Sequence, residues 1–177
     1  MDVRESMADS INTDNSSSDT VLSEDAIPIF AAVDRSHLES ALQHLVSAGY
    51  YAYLLLDDKQ RWTVAVDDEA GHVDVRVEGA GFTIDVCGSS PGLFIEESSD
   101  WRRQALERLA RRAVPNVARG LLRENQTAFW DEADRGVSVC ISHQLPVDEV
   151  STVPDVARAG LGELDELLTF VESELRT

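Results

Sequence analysis

The residue types that most often carry out chemistry in proteins are few and widely spaced in this chain. No Cys-x-x-Cys or His-x-x-x-His pair is present, and these are spacings that bind zinc. Cys140 and His143 lie three residues apart on a predicted strand, so their side chains should point to opposite faces and not form a nucleophile–base dyad. We therefore predict no catalytic residue, no metal ligand and no cofactor.

The two cysteines, Cys87 and Cys140, lie in apolar runs that are typical of strands. One disulfide between them is arithmetically allowed, but two cysteines make no spaced framework. Buried thiols behave as small apolar side chains, which suits these runs. We expect two buried free thiols.

Carboxylates cluster at three predicted turns, over residues 57–58, 67–69 and 131–134. None of these clusters has the ligand spacing of an EF-hand loop. We interpret them as solvated turn residues. A weak cation site would require two of the turns to meet in space.

The most distinctive local feature is an arginine-rich segment over 101–123. It holds seven arginines and one acid, a net charge of +6, so the rest of the chain carries −24. The segment fits a solvated helix that pairs with the protein's own acids, a partner surface, or a nucleic-acid contact, which the surrounding charge disfavours. The partner-binding candidates here are Arg102, Arg103, Arg108, Arg111 and Arg112.

Two aromatic residues, Tyr51 and Trp62, are further binding candidates. Tyr50 and Tyr51 begin a predicted strand, so their rings point to opposite faces of the sheet. An aromatic ring on the uncovered face of a sheet would be available to a partner. Packing in the core or at its rim is the alternative.

The first half of the chain predicts one helix followed by a run of strands. Ser36 and Glu39 form a capping box, and the apolar spacing after it predicts a helix that ends at Gly49. Apolar and polar residues then alternate over 50–86 with short connections, as in an antiparallel meander. A short further strand is predicted at 93–95. One face of the meander is apolar and the other charged, so we expect helices on one side only.

The second half predicts two further helical regions around a hairpin. A helix capped by Asp100 should run over 101–113 with Leu109 facing inward, and Pro115 should break or kink it. Residues 127–141 predict a hairpin, and an apolar stripe after it predicts a last helix. Runs of strands with helices between them indicate an α+β fold, an antiparallel β-sheet of meander plus hairpin with three or four helices packed on one face.

Charge sets the expected environment of the protein. The chain has 33 acidic and 15 basic residues, a net charge of −18, and Lys59 is its only lysine. This composition resembles the proteins of salt-loving archaea, because high salt screens the repulsion among acids. It predicts a halophilic protein and disfavours nucleic acid and anionic membranes as partners.

The chain divides into a tail and one domain. Residues 1–25 hold seven acids and one arginine in a polar context, which predicts a disordered acidic tail. Residues 26–177 should form a single α+β domain. No signal peptide and no apolar run of about 18 residues is recognisable, so we expect a soluble cytoplasmic protein.

The order of elements resembles the type III secretion chaperone-like fold, and within it the bacterial sensory-transduction regulators. The likeness is carried by helix one with the strands over 50–66, and by the block over 119–168. That block contains Gly-Leu-Leu-Arg-Glu-Asn, Thr-Ala-Phe-Trp and Leu-Pro before an amphipathic helix. The meander holds extra strands compared with the usual three. The resemblance implies a homodimer that binds a protein segment without catalysis, and it assigns no functional residue.

These observations predict a non-enzymatic protein-binding module, chaperone-like or a regulatory adaptor, that acts as a homodimer on a protein partner. The alternative is a small-molecule binder or enzyme, with a concave pocket at Trp62 or Tyr53 beside turn carboxylates. A third hypothesis is a nucleic-acid-associated regulator that uses the arginines over 101–123.

Overall fold

The computed structural model describes residues 29–57 and 59–177. Within these residues the chain forms three α-helices, six strands and one 3-10 helix. The elements in chain order are α1 (Ile29–Ser47), β1 (Ala52–Leu56), β2 (Trp62–Asp68), β3 (Gly71–Glu78), β4 (Gly81–Ser90), α2 (Asp100–Leu121), β5 (Gln126–Asp131), β6 (Gly136–Pro146), the 3-10 helix (Val147–Thr152) and α3 (Val153–Arg176). The predicted acidic tail lies outside the described residues.

The described strands form one antiparallel sheet in the order β1-β2-β3-β4-β6-β5. The first four strands are a meander, and α2 then leads to the β5–β6 hairpin, whose second strand pairs with β4. This arrangement confirms the predicted α+β fold of meander plus hairpin. It leaves β1 and β5 as the two edges of the sheet.

The hydrophobic core lies on one face of the sheet, which we call the covered face. Alternate strand residues such as Val64, Val73 and Ile84 are fully buried there. They pack with helix residues such as Leu45 of α1 and Leu164 of α3 in one core cluster. The helices of the described chain therefore pack on a single face, as the alternation of apolar and charged residues predicts.

Helix α3 lies close against the covered face at Gly160. A Cβ atom built on Gly160 would lie 2.7 Å from Cγ2 of Val86. Glycine lowers helix propensity by about 1 kcal/mol relative to alanine. Here the absence of a side chain lets the helix contact β4 directly.

Helix α2 corrects three details of the sequence prediction. It continues through Pro115 as one helix, because Pro115 lies on an exposed side where water can reach the unpaired carbonyl. Its N-cap is Ser99 and not Asp100, since the Ser99 side chain accepts a hydrogen bond from the amide of Arg102. Leu109 does not face inward; Ala110 and Val114 are the buried residues of the helix.

Two further boundaries differ from prediction. Helix α1 begins at Ile29, so Ser36 lies inside it and does not start a capping box. Residues 93–95 form a turn and not a strand, although Leu93 and Phe94 are buried in the core. The apolar run over 93–95 therefore reflects burial in the core and not pairing in the sheet.

Candidate functional site

The outward face of α2 combines exposed apolar side chains with arginines. The helix packs on β5 and α3, with Ala110 and Val114 directed into the core. Trp101, Ala105 and Leu109 follow at four-residue intervals on the other side, and Trp101 and Leu109 are 73% and 63% exposed. Arg102, Arg108 and Arg112 occupy the same helical stripe. We call the six residues Trp101, Arg102, Ala105, Arg108, Leu109 and Arg112 the α2 surface.

The arginines of the α2 surface have no carboxylate partner among the side chains that the structure describes. Arg108 donates a hydrogen bond to the backbone oxygen of Gln104, at 3.2 Å. Arg108 and Arg112, with Ala105 and Leu109, line a shallow concavity of about 300 Å³. The stripe therefore presents cationic groups beside apolar area without an internal counter-charge from the described chain.

The remaining candidates on α2 are bound to the protein's own carboxylates. Arg103 pairs with Asp100 and also donates to the backbone oxygen of Glu97 at 3.5 Å. Arg111 pairs with Glu132 of the β5–β6 hairpin. The five predicted arginines therefore divide into three without a carboxylate partner among the described residues and two, Arg103 and Arg111, that pair with carboxylates of the chain.

The structure does not bring Tyr51 and Trp62 together with the α2 arginines. They lie at the β1–β2 end of the sheet, whereas α2 packs at the β5 end. Tyr51 is 77% exposed, and its ring lies 5.8 Å from that of Tyr53. Trp62 is half-buried below the guanidinium of Arg35, which lies 4.7 Å from the ring centroid. Trp62 lines a concavity of about 210 Å³, smaller than ordinary ligand pockets of about 300–1,000 Å³.

The second face of the sheet, which we call the open face, carries a hydrogen-bonded network that the sequence did not reveal. Tyr53 donates through its hydroxyl to Oδ2 of Asp67 at 2.8 Å. The ring of His72 lies between two carboxylates, with Nδ1 2.7 Å from Asp67 and Nε2 3.1 Å from Asp74. These four residues come from three adjacent strands, and only the strand register brings them together.

This network changes the protonation of its members. The hydrogen bond to Asp74, aided by that to Asp67, outweighs the effect of burial and raises the pKa of His72 to about 9. The hydrogen bond from His72 lowers the pKa of Asp67, and the bond to Asp67 raises the pKa of Tyr53. His72 is therefore an imidazolium at neutral pH, paired with two carboxylates.

A second network joins the other charged residues of the open face. Arg61 donates to Asp57 at 2.8 Å and to Glu78 at 3.3 Å. Arg76 lies 3.4 Å from Glu78 and also pairs with Asp85. The cations of this face are therefore bound to carboxylates of the same or neighbouring strands.

The cysteines do not remain free thiols as predicted. Cys87 of β4 lies directly opposite Cys140 of β6, their Cα atoms are 4.1 Å apart, and they form a disulfide. Both side chains are partly exposed on the open face, while their neighbours Val86 and Ile141 are fully buried on the covered face. The apolar runs predicted burial, but 53 residues separate the cysteines and β6 returns beside β4 only in the folded sheet.

The described residues form neither a metal site nor a membrane-spanning helix. No group of three or more His, Cys, Asp and Glu side chains there is placed to hold a metal ion. In the same part of the chain, every helix is too short or too polar to cross a membrane.

A comparison with known protein families, with curated proteins and with solved structures finds no match to this chain.

Proposed function

We propose that the protein is a non-enzymatic binding module, a chaperone-like or regulatory adaptor, whose α2 surface holds an acidic segment of a partner protein. The observation that carries the proposal is the stripe of Arg102, Arg108 and Arg112 beside exposed Trp101 and Leu109. Tryptophan and arginine are the residues most enriched where interfaces gain their binding energy. A large exposed apolar group flanked by charge is a recurrent property of such surfaces.

Charge complementarity specifies the chemistry of the partner. Segment 101–123 has a net charge of +6, while the remainder of the chain carries −24. An acidic segment is repelled by most of the protein and attracted at α2, so the electrostatic field favours docking on the α2 surface. Apolar side chains of the partner would cover Trp101 and Leu109, and its carboxylates would pair with the three arginines.

The experiment compares charge reversal on the α2 surface with a matched reversal elsewhere. Tagged full-length protein, the variants R108E and R102E/R108E/R112E and the control R158E are purified from the native host at native ionic strength. Arg158 is a suitable control because it is exposed on α3 and, among the described residues, pairs with Asp155 of its own helix alone. Each Arg→Glu reversal lowers the net charge by 2, so the single variant R108E is compared with R158E at equal charge, and the triple variant gives the full effect of the α2 surface.

We expect one partner protein to be retained in a stoichiometric amount by wild type and by R158E, and to be lost from the triple variant. Equal melting temperatures would show that the triple variant is folded. A partner that the folded triple variant retains at full stoichiometry would contradict the proposal. Nucleic acid in the eluate would instead favour a nucleic-acid-associated regulator. In that case the logarithm of the binding constant should fall linearly with the logarithm of the salt concentration.

We infer that self-association uses a different region, the edge of β1 that pairs with no other described strand. Residues 52–56 carry no charge, and Leu56 at the end of the strand is exposed. An apolar edge strand presents unpaired backbone groups to a second copy, whereas two α2 surfaces repel each other.

Light scattering should therefore give a dimer for wild type and R102E/R108E/R112E, and a monomer for L55K. A dimeric L55K, or a wild type that stays monomeric as concentration rises, would contradict this.

A further inference from the structure

One row of the open face crosses five strands and contains the disulfide. In register order it consists of Asp67, His72, Cys87, Cys140 and Thr127. The described helices pack on the covered face, so none lies over this row. Both cysteines are partly exposed, and a reagent in solution can therefore approach the sulfur atoms.

Opening the disulfide would leave the fold in place. Strands β4 and β6 pair along a ladder that runs from Gly81 opposite Pro146 to Ser90 opposite Val137. The cysteines are one register pair inside that ladder, and Val86 and Ile141 beside them are fully buried on the covered face. The oxidised and reduced forms can therefore share one backbone structure.

The two sulfur atoms differ in their charged surroundings. His72 is the register neighbour of Cys87, whereas the outer neighbour of Cys140 is the uncharged Thr127. Asp67 and Asp74 both bind His72, and Asp85, two residues before Cys87, is paired with Arg76. The imidazolium is thus the cation nearest in register to either sulfur, and it lies on the Cys87 side. The two carboxylates offset the charge of His72 at longer range, and within this group the imidazolium is the member in direct register with Cys87. An adjacent cation stabilises a thiolate.

We propose that Cys87–Cys140 is a thiol–disulfide exchange site for a dithiol reductant, with Cys140 attacked and Cys87 leaving as the thiolate. One thiolate of the reductant forms a bond to Sγ of Cys140. The bond between the two cysteine sulfurs breaks, and its electron pair remains on Sγ of Cys87. The second thiolate of the reductant then displaces Cys140 from the mixed disulfide. The reductant becomes a disulfide, and the protein accepts two electrons and two protons as two thiols.

The first test measures the rate at which dithiothreitol reduces the full-length oxidised protein without denaturant. The variants are H72N, which removes the cation, H72K, which restores one, and H44N, a control on α1. We expect reduction of wild type and H44N at the same rate, a decrease of about fivefold in H72N, and recovery in H72K. A structural role of His72 alone would not be rescued by lysine.

The second test identifies the sulfur that is attacked. Oxidised protein is exposed to a limiting biotinylated monothiol, free thiols are alkylated, and the mixed disulfide is located by peptide mapping. We expect biotin on Cys140 and the alkyl group on Cys87. Equal labelling, or label on Cys87, would overturn the assignment. A bond that dithiothreitol reduces only in denaturant, or free thiols in air-purified protein, would overturn the site itself.

Discussion

The α2 surface and the open face of the sheet carry their charges in different ways. On the open face, Arg61, Arg76 and His72 each bind two carboxylates of the same or adjacent strands. On the α2 surface, Arg108 and Arg112 project beside Leu109 without a carboxylate from the described chain. One face is electrostatically complete among the described residues, and the other presents cations to solvent.

Strand register explains part of this difference. Cross-strand neighbours lie about 5 Å apart, so opposite charges on adjacent strands meet without reordering long side chains. The outward stripe of α2 has a neighbour only along its own helix, and 101–123 contains just one acid, Glu107. Glu107 is largely buried and pairs with Arg135. The composition of the helix therefore leaves the outer arginines without an acid of their own segment to pair with.

Withdrawing salt should have the largest effect on the molecule. We predict that the melting temperature falls by about 10 °C between molar and low salt, because the acids outside α2 repel one another when screening is lost. The melting temperature of R102E/R108E/R112E should fall further than that of wild type at low salt and should equal it at high salt. A melting temperature that is independent of salt would refute the halophilic assignment.

The open face should respond to the loss of one cation by losing stability. Arg76→Met leaves the partly buried Asp85 without its partner, since the Arg76 side chain is only 16% exposed and pairs with it. We expect the free energy of unfolding to decrease by about 2 kcal/mol, measured by urea denaturation. R158M on α3 should change it by less than about 0.5 kcal/mol. Partner binding should be unaffected, and a loss of binding in R76M would erase the contrast between the two faces.

The α2 surface can be given its own carboxylate. Ala105→Glu places an acid three residues from both Arg102 and Arg108, where helical side chains pair. The internal pair should compete with the partner and weaken binding about tenfold by calorimetry, while the helix becomes slightly more stable. A105Q, of similar size and without charge, separates this effect from steric blocking. Equal affinities of A105E and A105Q would show that the arginines do not bind the partner.

The smallest predicted effect is the pH dependence of the open face. The pKa of His72 in the folded protein is raised from 6.5 to about 9. The contribution of His72 to the free energy of unfolding is therefore complete below pH 6.5 and disappears as pH rises through 9. His72 is partly exposed, so solvent screening limits the contribution to about 1 kcal/mol. The difference in unfolding free energy between wild type and H72N should shrink over this range. A constant difference would contradict the paired imidazolium.

The sequence predicts the α2 region better than the open face, for a physical reason. Seven arginines in one helical segment are visible without knowledge of contacts, and so is the helix itself. The exposure of Leu109 was missed because apolar spacing alone does not say which side of a helix packs. The side of α2 that packs is determined by the contacts of Ala110 and Val114 with the rest of the core.

The open face depends on contacts between residues that are distant in the chain. Alternation places His72, Asp74 and Arg76 on the polar face, but their partners depend on register between strands. The Cys87–Cys140 pair requires β6 to lie beside β4 after the α2 connection, which local patterning does not specify. The covered core, built from alternation and helical stripes, was the part that sequence predicted most fully.

Hydrogen–deuterium exchange of the captured complex tests the central claim most directly. Binding should slow exchange of the amides over 101–112 and leave those of β3 and β4 unchanged. The R158E complex should give the same pattern. Protection that appears on β3 and β4 while 101–112 exchanges as in the free protein would contradict the α2 surface as the docking site.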